Sequence, residues 1–118
     1  AMKFKLIVAI IEDKLTDLTI ETARVNGATG CTVITSARGE GLKPVRTFLG
    51  LTVTGQRDIV LMLVEEHGSR RILEAIGAAC RFDLDPGLGV AIQIDIEDAV
   101  GLEAQMRAIR KDISMEDL

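Results

Sequence analysis

A strand–helix–strand pattern that occurs twice is the feature that most constrains how this sequence can fold. The first unit predicts a strand, a helix and a second strand at residues 3–11, about 14–26 and about 30–37. The second unit repeats this order at about residues 58–64, 69–79 and 89–96. An acidic pair stands where each helix is expected to begin, as the helix dipole favours. The chain is therefore expected to be an α+β protein built from two copies of one unit.

Two such units predict the ferredoxin-like split βαβ fold (βαββαβ), a four-stranded antiparallel sheet with two helices on one face. A C-terminal helix is predicted at residues 97–111, where Leu102, Met106 and Ile109 recur at helical spacing. A length of 118 residues suits one domain with a modest core. We expect a single domain at residues 2–112 and an acidic tail at 113–118.

The first and third predicted strands are apolar on both faces. In the first strand, Leu6, Val8 and Ile10 would face one way, and the equally apolar residues between them would face the other. Two helices can cover only one face of a sheet, so the second apolar face needs another cover. The sequence therefore predicts an oligomer.

Charge and composition argue against several classes of protein. The formal net charge is −4, and the chain has three Phe and no Trp or Tyr, so a nucleic-acid-binding protein is not expected. The longest apolar run, Leu6–Ile11, is far shorter than the roughly 20 residues that a membrane span needs. Cys31 and Cys80 lack metal-binding spacing and are interpreted as buried thiols of a cytoplasmic protein.

Groups suited to catalysis or metal binding are scarce. The one histidine, His67, follows Glu65 and Glu66 at a predicted strand–helix junction, and three adjacent residues are a weak metal-binding pattern. His67 with Glu66 is also the best acid–base pair that the sequence offers. We therefore expect neither an enzyme nor a metal site, and no cofactor.

Two glycine-containing segments are candidate ligand loops. Arg38-Gly39-Glu40-Gly41 opens a connection to residue 56 that is too long for an ordinary hairpin, and Asp85-Pro86-Gly87-Leu88-Gly89 precedes the last strand. Glycine lets the backbone approach an anion closely, and successive N–H groups form a nest for it. Simple turns are the alternative for both glycine pairs. Arg38, Arg46 and Arg57 are either phosphate ligands or solvated loop cations.

The order and spacing of these segments, with Gly27–Val33 and Glu97–Val100, resemble the PII signalling family of nitrogen regulatory proteins and their PII-like relatives. The resemblance implies a homotrimer that binds an adenine nucleotide in each cleft between subunits. It also implies regulation of a target protein through a mobile T-loop, here between residues 38 and 56. Among the targets that the family implies, we favour a membrane transporter over an enzyme.

The resemblance also implies roles for individual residues by position. Ile10, Thr32 and Leu63 would line the adenine pocket, and Gly39 and Gly41 would turn the base of the T-loop. Gly87 and Gly89 would offer backbone N–H groups to phosphates, with Leu88 between them and Arg38 at the T-loop base completing the nucleotide site.

Departures from the family pattern change the expected ligand. Val90 stands where a phosphate-binding lysine is usual, Leu88 replaces an aspartate, and Gly101-Leu102-Glu103 occupies the place of paired arginines. With fewer cations for a triphosphate, AMP or ADP is expected as the regulatory ligand in preference to ATP. The alternatives are a CutA-like or scaffold trimer that binds no nucleotide, and a small ferredoxin-like enzyme.

Overall fold

The computed structural model describes residues 2–38, 56–85, 87–103, 106–107 and 110–111, with the backbone of residues 47–48 and 51–52. The elements in this part of the chain are β1 (Phe4–Glu12), α1 (Thr16–Val25), β2 (Thr32–Arg38), β3 (Thr47–Phe48), β4 (Leu51–Thr52), β5 (Gln56–Glu65), α2 (Glu66–Ala79) and β6 (Gly89–Asp95). A 3-10 turn at Asp13–Leu15 delays the start of α1, whereas α2 begins earlier than predicted because Glu65 caps it.

The four long strands form one antiparallel sheet in the order β2-β5-β1-β6. At its centre, Ile7 of β1 pairs with Met62 of β5 on one side and with Gln93 of β6 on the other. The two central strands therefore come from different units, and the units interlock. This arrangement confirms the predicted ferredoxin-like fold.

Both helices pack on the same face of the sheet. Ile72 and Ile76 of α2 and the adjoining Cys80 are buried against apolar side chains of β1 and β5. Ala79, in the last turn of α2, is exposed. The buried strand residues of this core are Ile7, Ala9, Ile11, Val60, Met62 and Val64.

Helix α1 turns its small residues inward. Thr19 and Ala23 are buried, whereas Leu18 is 42% exposed and Val25 is 64% exposed. Small side chains let α1 lie close to α2, and the Thr19 hydroxyl lies 3.4 Å from the Cys80 sulfur. The inward face of α1 is thus set by close packing between the helices.

The opposite face of the sheet, which we call the open face, is apolar and is covered by neither helix. Val8 pairs with Leu61 on β5 and with Ile92 on β6, and all three side chains face away from the helices. Ile92 and Ile94 are 45% and 46% exposed, so the apolar side of β6 belongs to this face. The two-sided strands are confirmed, and the oligomer they call for stays a prediction. The apolar residues of the open face are Leu6, Val8, Ile10, Ile34, Ile59, Leu61, Leu63, Val90, Ile92 and Ile94.

The connection between β2 and β5 contains a small hairpin in which Thr47 pairs with Thr52 and Phe48 with Leu51. Before it, β2 carries a β-bulge between Ile34 and Ala37, where the non-glycine residue Ser36 has a φ of 62°. The rest of this connection lies outside the described residues, so its predicted mobility stays a prediction.

The predicted C-terminal helix does not begin at Glu97. Gly101 has a φ of 90°, which breaks helical geometry, and helical backbone first occurs at Glu103. Beyond that point the Met106 N–H donates to the Leu102 carbonyl oxygen at 2.9 Å, as in a helix. The tail at 113–118 lies outside the described residues. In the described part of the chain, no helix is long and apolar enough to cross a membrane.

Candidate functional site

The predicted ligand residues fall into two groups at opposite ends of the sheet. The first group surrounds Thr32 and Leu63 on the open face, where Thr32 pairs with Leu61 and Leu63 pairs with Leu6. A cleft of about 380 Å³ opens here. Its lining is Leu6, Thr29, Gly30, Cys31, Thr32, Leu61 and Leu63. The cleft is an apolar floor with an exposed threonine at its edge, which suits a flat aromatic ring. We call it the apolar half-site.

The second group surrounds the glycine loop, residues 87–89, at the other end of β1. Gly89 pairs with Ile11, and the Glu12 N–H donates to the Leu88 carbonyl oxygen at 3.0 Å. Ile10 lies beside this loop on the open face, where it pairs with Val90. We call this group the loop half-site.

The two half-sites are separated along β1. Leu63 pairs with Leu6, whereas Gly89 pairs with Ile11, five positions further along the strand. At about 3.4 Å per residue this separation is roughly 17 Å along the apolar face of the sheet. The structure thus brings Ile10 to the glycine loop and leaves Thr32 and Leu63 apart from it. A concave site containing both groups requires a second surface laid against the open face.

Backbone geometry and packing already explain the two glycines of the loop. Gly87 is buried with a φ of 88°, a conformation that favours glycine. A Cβ on Gly89 would lie 2.6 Å from Cε1 of Phe82 and 2.8 Å from Cγ2 of Ile11. The glycines are needed for the fold of this loop whether or not it binds an anion. Their predicted phosphate contacts stay a prediction.

Arg38 lies at the same end of the sheet as the glycine loop. A β-bulge changes its pairing and places it on a different face of β2 from the one that regular alternation would give. The bulge makes Ala37, not Ser36, the partner of Arg57, and Arg38 pairs with Gln56. Arg38 therefore falls on the opposite face of β2 from Ile34. Gly39 and Gly41 lie outside the described residues.

A cluster of charged side chains that the sequence did not reveal lies beside the loop half-site. Glu12, directly opposite Arg57 in the sheet, has one carboxylate oxygen 3.5 Å from Nη1 of Arg57. The other carboxylate oxygen lies 3.1 Å from Nζ of Lys14. Arg57 is only 4% exposed, which holds its charge inside the structure. In the sequence Glu12 was a helix-flanking acid, and only strand register places it next to Arg57.

The group formed by Glu65, Glu66 and His67 is better explained as a helix cap than as a metal site. Its potential ligand atoms lie within 4.8 Å of one another. Glu65, however, already accepts from the His67 backbone N–H at 2.8 Å and contacts Nδ1 of the same residue at 2.5 Å. The hydrogen bond between the two side chains and the negative charge of Glu65 raise the pKa of His67. The N-terminus of α2, which repels cations, further disfavours a metal ion here.

Comparisons with known proteins agree with the fold. A PII-like signalling protein from Thermus thermophilus is 24% identical, with a TM-score of 0.60 over 80% of this chain and 86% of its own. CPII from Thiomonas intermedia, a nitrogen regulatory PII-like protein solved with ADP, AMP and bicarbonate, is 16% identical, with a TM-score of 0.63 over 84% of this chain and 96% of its own. No curated protein matches the sequence.

The sequence itself identifies the family. The profile described as nitrogen regulatory protein P-II matches residues 4–105, which include every strand and both helices described above. The chain therefore belongs to the nitrogen regulatory protein P-II family.

Proposed function

We propose that this chain is a PII-like signal-transduction protein that forms a homotrimer and binds AMP or ADP, in preference to ATP, between its subunits. In this proposal the ligand alters the connection between β2 and β5, which acts as a T-loop on a target protein. The observation that carries the proposal is the separation of the two half-sites across an apolar sheet face that neither α1 nor α2 covers.

The open face supports assembly, because its isoleucines and leucines form a continuous apolar surface on all four strands of the sheet. Exposed apolar surfaces of this kind mark protein–protein contacts. In a closed ring, the apolar half-site of one subunit can meet the loop half-site of the next. Three such contacts would generate three equivalent clefts, each lined from both sides.

The chemistry of each half-site supports an adenine nucleotide. The apolar half-site offers an apolar floor for a base, and the glycine loop offers backbone N–H groups for phosphate. CPII, which has the same fold, was solved with ADP and AMP. Val90, whose side chain cannot pair with phosphate, lies at the loop half-site and favours ligands with fewer phosphates.

A titration of the full-length assembly with AMP, ADP and ATP tests the nucleotide. We expect saturable binding of AMP or ADP near one per chain, with weaker binding of ATP. Val90→Lys should strengthen the binding of ATP most, and Val90→Glu should weaken all three. If none of the three nucleotides binds at millimolar concentration, a CutA-like or scaffold trimer becomes the better description.

Mixed assemblies test whether each site is shared between subunits. Thr32→Arg should block the apolar half-site, and Val90→Glu should block the loop half-site, so neither variant alone should bind. When the two variants are co-assembled at random in a closed ring, about one quarter of the sites should combine two intact halves and recover binding. No recovery in mixed trimers would contradict a shared site.

The regulatory role rests on the connection between β2 and β5. Deleting residues 43–55 should leave the trimer and its fold intact but abolish binding to the target, for which we favour a membrane transporter.

We also propose that the protein is not an enzyme and acts in the cytoplasm. The first point is supported by the use of His67 in a helix cap, and the second by the free thiols of Cys31 and Cys80. Cys80 is buried as expected, whereas the expectation that Cys31 is buried is wrong, because Cys31 is exposed at the edge of the apolar half-site.

A further inference from the structure

The charged cluster beside the glycine loop places one carboxylate between two cations. Glu12 lies 3.5 Å from Nη1 of Arg57 and 3.1 Å from Nζ of Lys14. Both cations are at the end of the sheet where the loop half-site is found. Asp58, the next residue of β5, lies on the helix side and accepts a hydrogen bond from Thr16 Oγ1 at 2.6 Å. Glu12 is therefore a carboxylate shared by Arg57 and Lys14.

Glu12 is also fixed to the glycine loop through its backbone. Its N–H donates to the carbonyl oxygen of Leu88, the residue between the two glycines. Strand alternation puts the Glu12 side chain on the same face as Ile10 and Val90. An anion held by the loop would thus meet a region in which the carboxylate of Glu12 already contacts both cations.

We propose that Glu12 is a specificity-determining residue that limits how many phosphates the site accepts. This inference rests on the proposed nucleotide site. A monophosphate needs little positive charge, whereas each further phosphate adds negative charge that Glu12 repels and that Arg57 and Lys14 no longer fully balance. Selection for AMP and ADP then follows from this carboxylate as well as from Val90.

Titration of the assembled full-length protein with AMP, ADP and ATP, without divalent cations, tests this role. Glu12→Gln removes the carboxylate at nearly constant shape and should raise the affinity for ATP relative to AMP on the order of tenfold. Glu12→Lys should raise this ratio further. Lys14→Gln should lower it, because a cation is lost and the carboxylate stays.

A matched control separates this effect from net charge. Glu74 is an exposed carboxylate on α2 that pairs with Arg70 at 2.8 Å, so Glu74→Gln makes the same change in charge and also breaks one ion pair. It should leave the ratio of ATP to AMP affinity at the wild-type value. The changes at Glu12 and Lys14 should shrink in high salt, which screens charge.

The outcomes distinguish this inference from the proposed function. If AMP or ADP binds but the ATP to AMP ratio is the same in wild type, Glu12→Gln and Lys14→Gln, Glu12 does not set specificity and the nucleotide site stands. If neither wild type nor any variant binds a nucleotide, both proposals are wrong. Circular dichroism checks the fold of each variant. Should Glu12→Gln fail to fold because Arg57 is buried, the exposed Lys14 still gives the decisive ratio.

Discussion

On one face of the sheet Ile7 pairs with Met62 beneath the helices, and both side chains are almost fully buried. On the other face the next pair along, Val8 and Leu61, is just as apolar and only half-buried. Hydrophobicity therefore does not distinguish the face that forms the core from the face that stays exposed. The topology determines which face is buried, because both helices cross on the same side of the sheet.

The largest expected effect comes from placing a charge on each face in turn. Leu61 and Met62 are adjacent on β5 and face opposite ways. Met62→Asp buries an unpaired charge in the core, which costs several kcal/mol against a total stability of about 5–15 kcal/mol, so this variant should be unfolded. Leu61→Asp should keep its helices and strands but become monomeric. Circular dichroism with light scattering measures both properties.

Either of two results would break the comparison between the faces. Retention of the oligomer by Leu61→Asp would show that the open face is not the interface. A folded Met62→Asp would show that the helix-covered face tolerates water and is not a tight core. Glu74→Gln, on the outer surface of α2, serves as the unaffected control.

A smaller effect tests how tightly the covered face is packed at the glycine loop. A Cβ on Gly89 would overlap Phe82 and Ile11, so Gly89→Ala should lower the free energy of unfolding by roughly 1–3 kcal/mol. Gly77, inside α2, has no neighbouring side chain within 4 Å of the position that a Cβ would take, and Gly77→Ala should instead raise it by about 0.5–1 kcal/mol. Urea denaturation measures both changes.

Phe82 provides the internal check on this prediction. Phe82→Leu removes the aromatic edge that a Cβ on Gly89 would strike at 2.6 Å. Phe82→Leu should therefore lower the free energy of unfolding less in the Gly89→Ala background than in wild type. Equal costs in the two backgrounds would mean that the Gly89 environment is looser than the structure indicates.

The smallest expected effect lies outside both faces, at the cap that joins β5 to α2. The hydrogen bond and charge of Glu65 raise the pKa of His67 in the folded protein. The protonated histidine therefore stabilises the fold fully below the ordinary histidine pKa of about 6.5, and this contribution is lost as the pH rises through the raised value. The difference in Tm between wild type and His67→Gln should be largest near pH 5.5 and shrink above neutrality. A difference in Tm that grows with pH would contradict a stabilising pair between the His67 and Glu65 side chains.

Patterns along the chain predicted the sheet, the helices and the apolar open face because these depend on local alternation. They did not predict two packing contacts, because these contacts join residues that are distant in the sequence. The burial of Thr19 involves a contact with Cys80, and Gly89, a candidate anion ligand, also has a packing role beside Phe82. Leu18 is more apolar than Thr19, yet Thr19 is the buried residue, because close packing of the helices favours the smaller side chain.

The candidate site was predicted less completely than the fold. Family resemblance gave a set of positions, and their division between two ends of the sheet became visible only with strand register. Register also revealed the pairing of Glu12 with Arg57, which lie far apart in the sequence. The bulge at Ser36 carried no glycine or asparagine that would mark a positive φ, so the displacement of Arg38 could not be foreseen.

The bulge in β2 also bears on how the protein avoids aggregation. Within the described residues β2 is an edge strand, and unpaired backbone groups at a sheet edge allow strands from other chains to join and form fibres. The break in pairing between Ile34 and Ala37 interrupts that edge, because a straight incoming strand could align only with its first three residues, 32–34. The kink at Ser36 thus protects a chain that already exposes one apolar sheet face.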